Sequence, residues 1–482
     1  MQNRLTCAFK ARSEVRSIFR VLPKSVYLTC MFGAFVFLQF TVLGLANHAG
    51  EGYLTTGQRD LVYYALQVFV ILGYVLSSVF FRFRVGKSGI MAAGTFSLFF
   101  VSGVLLFRVS VDSLLYVIVS MTAALCIGRI GGAVHHRMSL ETVKGANAAQ
   151  CMGFGSSAAI AMQYLLQIQW GVTPLLPVFM LAAFLLLIFL MPHSHPEAAP
   201  ERDKERKRTP PKLIVFSALI AAAFILFTCF YNESIHHLMI QSGYAANVYS
   251  WPRLMMVPVY LLFALTGDRK NGKYVPIVSL CIILIALLNV VLISNAEAYW
   301  LNMCFFYFAI AAYTCYYLLT FWRLATGTEY PAFWAPFGRM LDSFMVLFTG
   351  AIHLSELPAP VVMGLDIAGL ALIILLMAIK GDFNLTTTPV VPEIVTVAPE
   401  AVPKPSPEDA LERMGVRYAL TAREMDVLRK LLLTDDELQP IADSLNFSLR
   451  TLNRHITCIY QKTDTKSRVG LYKLYHAILQ ES

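Results

Sequence analysis

The segment Ser448-Leu449-Arg450-Thr451-Leu452-Asn453-Arg454-His455 decides the fold of the C-terminal part of this 482-residue chain. Ser448 is a favoured N-cap residue, and the hydroxyl of its side chain can accept a hydrogen bond from the first turn of a helix. Leu452 and Ile456 follow at the four-residue spacing that puts side chains on one helix face. We therefore predict a helix over Leu449–Thr463 with one apolar and one polar face.

The residues upstream and downstream predict three more short helices. In Leu420-Thr421-Ala422-Arg423-Glu424, the threonine and the glutamate form a capping box at the start of a helix. Asp435-Asp436 ends that helix and offers an N-cap for the next, Glu437–Leu445. The turn Asn446-Phe447 leads into the helix that begins after Ser448, and an amphipathic helix over Arg468–Gln480 closes the domain. Four short helices then share one apolar core.

This arrangement resembles the LuxR/NarL/GerE-type helix-turn-helix, whose pattern is L-T-x-R-E-x-x-V-L, I-A-x-x-L-x-I-S-x-x-T-V-K-x-H-x-x-x-I-y-x-K and then S-R. The chain departs from that pattern at Asp435, at Pro440 and at Asn453, where the family has a glycine, a glutamate and a lysine. The residues that match in register are Leu420, Thr421, Arg423, Glu424, Val427, Leu428, Ile441, Ala442, Leu445, Ser448, Thr451, His455, Ile459, Tyr460, Lys462, Ser467 and Arg468.

The resemblance implies that the tail binds double-stranded promoter DNA, as a homodimer with one helix of each copy in the major groove. Charge agrees, because six basic residues and one acidic residue lie between Asn446 and Tyr475, as phosphate binding requires. The alternative is a solvated helix with incidental cations. The candidate DNA-binding residues are Ser448, Arg450, Thr451, Asn453, Arg454, His455, Thr457, Lys462, Lys466 and Arg468.

The rest of the chain has the composition of a membrane protein. Hydrophobic residues make up 57% of the sequence and charged residues 14%, and the mean hydropathy is +0.60, which excludes an ordinary soluble enzyme. A helix of about 20 apolar residues crosses a bilayer. We predict an all-α fold in which a polytopic bundle of twelve membrane helices precedes the helix-turn-helix domain. The predicted spans are Val26–Ala46, Leu61–Phe81, Ile90–Phe107, Leu114–Val134, Ala146–Gln167, Pro174–Met191, Leu213–Tyr231, Trp251–Thr266, Val275–Ile293, Tyr299–Leu319, Met340–Leu354 and Pro360–Ile379.

Basic residues predict the orientation of these spans. Of the 27 lysines and arginines that precede the proline-rich stretch, 24 fall on loops that share a side with both termini, and three fall opposite. Lysine and arginine accumulate on the cytoplasmic side of membrane proteins. We therefore expect a multi-pass protein of the bacterial inner membrane, embedded in the lipid bilayer, with both termini in the cytoplasm. The first span reads as a signal anchor that is not cleaved.

Six spans, a charged loop and six further spans resemble the major facilitator superfamily. Gly267-Asp268-Arg269-Lys270-Asn271-Gly272-Lys273 is similar to the loop motif G-x-x-x-D-R-x-G-R-K of that family, whereas the loop Arg82–Gly89 in the first half lacks the acidic residue. The predicted regions are a basic N-terminus (1–25), two membrane halves (26–191 and 213–380) joined by a charged linker (192–212), a proline-rich linker (381–407) and the DNA-binding domain (408–482).

Polar residues in or beside the spans are candidates for sensing a small-molecule ligand, because such groups are costly in a bilayer. Glu233 and His237 lie one helical turn apart near the end of the seventh span, although an outer loop with ordinary surface charges would look the same. Tyrosines of the tenth span also fit core packing, Asp342 can pair with Arg339, and a hydrogen bond across helices would equally account for Asp366. The candidate ligand-sensing residues are Glu233, His236, His237, Arg253, Tyr313, Tyr317, Asp342 and Asp366.

The sequence contains no nucleotide-binding loop, metal-ligand spacing or other catalytic set, so we expect neither an enzyme nor a bound cofactor. The prediction that follows is a membrane-bound one-component transcription regulator, in which the bundle senses a ligand or a membrane condition. The alternatives are a transporter whose tail regulates genes and a tail that binds protein instead of DNA.

Overall fold

The computed structural model describes residues 23–48, 55–82, 88–106, 114–143, 145–167, 175–190, 208–242, 250–292, 299–352, 357–382, 407–434, 437–465 and 467–480. Within these ranges the backbone forms helices and turns and no β-strand, as predicted. The chain divides into two compact units, Met1–Ile394 and Val395–Ser482, called here the membrane unit and the C-terminal unit.

The membrane unit has a helix at each position that the apolar runs predict. The first six are α1 (Lys24–His48), α2 (Thr56–Arg82), α3 (Ser88–Leu106), α4 (Leu114–Val143), α5 (Ala148–Gln167) and α6 (Leu175–Leu190). They are followed by α7 (Pro211–Ser242), α8 (Met256–Thr266), α9 (Val275–Leu292), α10 (Tyr299–Ala325), the short α11 (Pro331–Trp334), α12 (Phe337–Ala351) and α13 (Ala359–Lys380).

Six helices of the described residues are long and apolar enough to cross a membrane, and four shorter ones are apolar. The six are Lys24–Ala46, Gly57–Val79, Leu114–Thr142, Pro211–His236, Tyr299–Ala325 and Ala359–Lys380. Large apolar side chains on α6 and α13, such as Val178, Phe189, Leu375 and Ile379, are exposed. Water would disfavour such surfaces, whereas lipid tails accept them. The number of spans stays a prediction.

Several helices are longer than hydropathy predicts. The fourth prediction ended at Val134, but α4 continues to Val143, because its polar end is bound within the protein. There, Glu141 is 3% exposed and pairs with Lys24 at 2.6 Å and with Arg137 at 2.8 Å. Hydropathy marks the apolar part of a helix and misses a polar end whose charges are paired.

Other boundaries differ by a few residues. The eighth predicted helix opens as a 3₁₀ turn, Trp251–Met255, before α8 begins. Helix α7 begins at Pro211, inside the predicted linker 192–212, because proline is tolerated in a first helical turn. Most of that linker and most of the linker 381–407 lie outside the described residues.

The described residues of the C-terminal unit form five helices, one more than predicted. They are α14 (Pro407–Arg417), α15 (Ala422–Leu433), α16 (Leu438–Ser444), α17 (Leu449–Thr463) and α18 (Arg468–Gln480). Sequence reasoning missed α14, whose Leu411 and Met414 are fully buried in the core of this unit. Their three-residue spacing, after a proline in the first turn, was the available signal.

The four predicted helices of this unit are present, with small corrections. The capping box of α15 is formed, because Thr421 Oγ1 accepts from the N–H of Glu424 and the Glu424 carboxylate accepts from the N–H of Thr421 at 2.7 Å. Helix α16 has Glu437 as its N-cap, so it begins one residue later than predicted, and Asp435-Asp436 lies outside the described residues. Asn446, in the turn before α17, has a φ of 54°, a left-handed conformation that asparagine tolerates.

Candidate functional sites

Helix α17 separates its apolar and polar residues cleanly. Leu452, Ile456 and Ile459 are buried in the core of the unit, and the opposite face is exposed to solvent. The candidate DNA-binding residues with exposed side chains on that face are Arg450, Thr451, Asn453, Arg454 and Thr457. A helix with one buried stripe and one polar face can lie on a nucleic acid without exposing its core.

Hydroxyl groups define the start of α17. Ser448 Oγ accepts a hydrogen bond from the N–H of Thr451 at 3.2 Å and lies 2.8 Å from Thr451 Oγ1. Both side chains are exposed. The first turn carries the positive end of the helix dipole and its free N–H groups, so this end of α17 suits contact with a phosphate oxygen. Thr457 Oγ1 instead donates to the carbonyl of Asn453 within the helix, at 2.8 Å.

Two of the candidate cations are engaged inside the domain. Lys462 Nζ pairs with Glu424 Oε2 at 2.7 Å and donates to the carbonyl oxygen of Ala419 at 3.1 Å. Arg468 Nε donates to the carbonyl of Leu431 at 2.8 Å, and its Nη2 donates to that of Thr434. Lys462 thus ties the start of α15 to the end of α17, and Arg468 satisfies carbonyls at the end of α15. The side chain of Lys466 lies outside the described residues.

Glu424 is the acidic partner that fixes this arrangement. Its side chain is 7% exposed, and it accepts from Lys462 and from the backbone and hydroxyl of Thr421. Burial by itself would raise the pKa of the carboxyl, but these hydrogen bonds outweigh it and hold the pKa of Glu424 below its ordinary value. The charged form of Glu424 therefore stabilises the folded domain.

An aromatic stack lies at the turn before α17. The rings of Phe447 and His455 are stacked with centroids 5.3 Å apart, and the guanidinium of Arg423 lies 5.8 Å from the centroid of Phe447. His455, one of the candidate DNA-binding residues, is half-buried. Arg423 was not among the candidates, although it belongs to the matched motif, and its exposed guanidinium extends the cationic surface beside α17.

In the membrane unit, three candidate sensing residues come together around a buried arginine. Arg339 Nη1 lies 3.6 Å from Asp342 Oδ2, and the Tyr313 hydroxyl donates to Asp342 Oδ1 at 3.2 Å. The guanidinium of Arg339 lies 5.6 Å from the ring centroid of Tyr317. A Cβ at Gly338 would lie 2.4 Å from that same ring, so the glycine lets α12 approach α10 closely. We call Arg339 and its neighbours Asp342, Tyr313, Tyr317 and Phe40 the Arg339 cluster.

Phe40 of α1 joins this cluster to a second cation. The guanidinium of Arg253 lies 5.1 Å from the Phe40 centroid, and that of Arg339 lies 5.9 Å from it. A cation near an aromatic face is attracted by the quadrupole of the ring, more strongly when water is excluded. The ring of a helix in the first half is therefore flanked by two arginines from the second half.

The remaining candidates lie near the end of α7. The Ser234 hydroxyl donates to Asp366 Oδ2 at 3.0 Å, so the hydrogen bond across helices that the sequence left open is formed between α7 and α13. Asp366 is fully buried, whereas Glu233 and His236 are half-buried. The side chain of His237 lies outside the described residues.

Sequence reasoning missed a buried histidine on α4. His135 is fully buried, and its Nδ1 accepts a hydrogen bond from Trp322 Nε1 at 3.1 Å. The rings of Phe32, Phe35 and Tyr74 have centroids within 6.0 Å of the imidazole. A histidine inside an apolar helical run looks like a packed core residue, and nothing in the sequence near it names these partners.

The loop between α8 and α9 joins helices of the two halves. The Asp268 carboxylate accepts from the N–H groups of Ala149 and Gln150, both at 3.0 Å, and so caps α5. Arg323 of α10 lies 3.5 Å from the same carboxylate. Gly272 has a φ of +76°, and a Cβ there would lie 1.6 Å from Arg323 Nη1, so both its conformation and its neighbour require glycine.

No curated protein matches the chain at a significant level. The family model described as bacterial regulatory proteins, luxR family, or GerE, matches residues 418–475. The matched residues include the capping box, the whole of α17 and both cations that are engaged inside the domain. Residues 418–475 therefore form a LuxR-type helix-turn-helix domain, the DNA-binding domain of that family of bacterial regulators.

Proposed function

We propose that the chain is a membrane-bound transcription regulator in which the membrane unit senses a small molecule and the C-terminal unit binds promoter DNA. One observation carries the proposal: a LuxR-type domain with an exposed cationic helix face shares a polypeptide with helices long and apolar enough to cross a membrane. Membrane helices are the first part of such a protein to meet a signal that enters or crosses the bilayer. A DNA-binding domain in the same polypeptide can respond to that signal directly.

DNA contacts are assigned to two groups of residues. Arg450, Asn453 and Arg454 are suited to base edges or phosphates in the major groove, with asparagine able to read adenine. Ser448, Thr451, Thr457 and His455 are suited to phosphate contacts or to support of the helix, and Lys466 is proposed as a further phosphate contact. Lys462 and Arg468 contribute mainly by holding α15 against α17 and α18, because their donors are engaged inside the domain.

Binding to DNA by the full chain in detergent tests this function. A gel shift with duplex DNA from upstream of its own gene should show binding that weakens as salt rises, because phosphate contacts release counterions. A homodimer on an inverted repeat predicts that a duplex with two half-sites binds more tightly than one with a single half-site. Absence of salt-dependent binding would favour a tail that binds protein.

Orientation is part of the proposal. Basic residues on alternate loops favour an inner-membrane protein with both termini in the cytoplasm, where the C-terminal unit reaches DNA. Single cysteines introduced at Arg59 and Arg269, in a variant whose accessible native cysteines are replaced, can be labelled in intact cells with a membrane-impermeant maleimide. The proposal expects labelling at position 59 and none at position 269; the reverse pattern would contradict it.

Sensing is assigned to the polar groups inside the membrane unit. Arg253, Tyr313, Tyr317 and Asp342 belong to or border the Arg339 cluster, and buried charged groups in a membrane commonly mark ligand pathways. Glu233, His236, His237 and Asp366 form a second candidate group near the end of α7. A promoter footprint that stays the same with every ligand found to bind the membrane unit would count against sensing.

A transporter with a regulatory tail is the second candidate, favoured by the contacts between the two halves. Helix α5 of the first half packs on α8 of the second, α2 packs on α12, and Asp268 joins the halves through α5 and α10. Such paired halves resemble the major facilitator superfamily, in which one half rocks against the other around a central site. Substrate flux into proteoliposomes, lost in Asp366→Asn, would favour this candidate.

A further inference from the structure

Besides the Tyr317 hydroxyl of the Arg339 cluster, three hydrogen-bond donors are buried in or beside this cluster without a partner among the described residues. They are Arg339 Nε, the Tyr74 hydroxyl and His135 Nε2. The three residues are 8%, 1% and 0% exposed, respectively. Most buried polar atoms in proteins are hydrogen-bonded, so three unpartnered groups in one place require an explanation. They come from three helices, α12, α2 and α4.

The histidine contributes a donor because of its other nitrogen. Trp322 Nε1 can only donate, so the His135 Nδ1 that it contacts at 3.1 Å must be an unprotonated acceptor. In a neutral imidazole the proton then lies on Nε2. The group without a partner is therefore an N–H and not a lone pair.

The three groups are close to one another. The rings of Tyr74 and His135 have centroids 6.0 Å apart, and α12, which carries Arg339, packs on α2, which carries Tyr74. The Asp342 carboxylate already binds Arg339 and Tyr313. The site thus presents N–H and O–H groups and a guanidinium with little acceptor capacity of its own.

The walls of this site are aromatic. The rings of Phe40 and Tyr317 lie against the Arg339 guanidinium, and those of Phe32, Phe35 and Trp322 surround His135. Aromatic walls favour an apolar or aromatic body in a ligand. Converging donors with a guanidinium favour a carboxylate, which has several acceptor sites and no donor.

We propose that the membrane unit binds a small aromatic carboxylate, whose carboxylate group accepts hydrogen bonds from Arg339, Tyr74 and His135. This inference rests on the proposed sensing role of the membrane unit and names the chemical class of its ligand. The aromatic body of the ligand lies among the rings of α1 and α10. Helices from both halves supply the contacts, so occupancy of the site changes the interaction between the halves.

Matched acids and amides test the charge requirement. The full chain in detergent is unfolded by heat in the presence of benzoate, phenylacetate, benzamide or phenylacetamide, and the unfolding midpoint is followed by circular dichroism. The acids raise the midpoint as their concentration rises, because a ligand that binds the folded state stabilises it. The amides, which have the same shape and no charge, leave the midpoint unchanged.

Two variants at the site and one control variant test which residues bind the acid. Tyr74→Phe removes one hydroxyl and weakens acid binding by about tenfold, the effect of one hydrogen bond to a charged group. Arg339→Lys keeps the charge but removes the planar guanidinium, and weakens binding by about tenfold or more. Tyr316→Phe is the control, because it is the same substitution at another fully buried tyrosine, which lies on α10 against Phe224 and Lys380. It leaves acid binding unchanged.

Two results of the ligand series would overturn the proposal: no acid raises the midpoint, or acids and amides act alike. Unchanged acid binding in both Tyr74→Phe and Arg339→Lys would also overturn it. The sensing role fails separately. If an acid binds as described but the affinity of the same protein for DNA does not change, the ligand site stands and the regulator is not controlled through it.

Discussion

The two units of this protein differ in whether their functionally important charged side chains are buried or exposed. In the membrane unit, Glu141, Arg339 and Asp366 are buried and face other side chains of the protein. In the C-terminal unit, Arg450 and Arg454 are exposed, and Glu424 is the buried acid among the described residues. A buried charge must be matched inside the fold, whereas an exposed one is available to a partner. The comparison separates groups that hold the structure from groups that we propose contact DNA.

The largest expected effect comes from removing one member of a buried pair. Asp342→Ala leaves the Arg339 guanidinium without its carboxylate, and breaking a buried pair in this way costs about 3–5 kcal/mol. The thermal midpoint of the full chain in detergent should fall strongly. Asp60→Ala is the control, because Asp60 is exposed on α2 and its loss should change the midpoint little. An equal fall in the thermal midpoint of the two variants would contradict the distinction between buried and exposed charges.

Next in size is the loss of an exposed cation from α17. Arg454→Ala should weaken DNA binding by about 1–3 kcal/mol while leaving the thermal stability of the domain unchanged. Fluorescence anisotropy with labelled duplex DNA gives the affinity. Arg429→Ala removes an equally exposed arginine from α15, outside the proposed interface. If both variants bind DNA alike, α17 is not the reading helix.

A smaller effect is expected at Glu424, where a charge is buried for structural reasons. Glu424→Ala removes a capping-box residue and the partner of Lys462, and should cost about 1–2 kcal/mol of folding free energy. The exposed Glu412 provides the control, and urea unfolding of the isolated fragment Val395–Ser482, which has a hydrophobic core of its own, measures both.

The same residue predicts how stability depends on pH. The pKa of Glu424 is lowered in the folded domain, so its contribution is fully present at neutral pH. That contribution is lost as the pH falls below the ordinary range of a carboxyl group and through the folded-state pKa. The wild-type fragment should lose more stability on acidification than Glu424→Gln does. Identical pH profiles for the two would contradict this role.

The smallest expected effect is an increase in DNA affinity. Asn453→Lys restores the lysine that the family carries on an exposed position of α17, and should tighten DNA binding a few-fold, by about 0.5–1 kcal/mol. The slope of log affinity against log salt should become steeper by about one unit, because one more phosphate is neutralised. A tighter complex with an unchanged slope would mean that position 453 contacts a base and not a phosphate.

More of the C-terminal unit than of the membrane unit could be predicted from the sequence. Local rules such as the capping box of Thr421 and Glu424, the N-cap of Ser448 and the apolar spacing along α17 act within a few residues, so four of the five helices of the C-terminal unit could be predicted. Lys462 and Arg468 were taken as DNA contacts because their engagement depends on residues about forty positions away. Their charge is visible in the sequence, but their partners are not.

In the membrane unit, hydropathy located the helices but not the polar contacts between them. The pair of Arg339 and Asp342 was predictable, since the two residues are one turn apart on the same helix. The neighbours Tyr74 and His135 were not, because they come from other helices and lie in apolar runs. Long-range packing brings these groups together, and a single sequence carries no signal for it.

The most direct test of the account is the binding of duplex DNA to the full chain in lipid nanodiscs, measured across a series of salt concentrations for the wild type and for the double variant Arg450→Ala/Arg454→Ala. We expect the wild type to bind DNA from upstream of its own gene, with an affinity that falls by at least about tenfold between 50 and 200 mM salt. The double variant should lose most of that affinity and have a shallower salt slope. Binding that is independent of salt, or equal in both proteins, would contradict a membrane-bound regulator that reads DNA through α17.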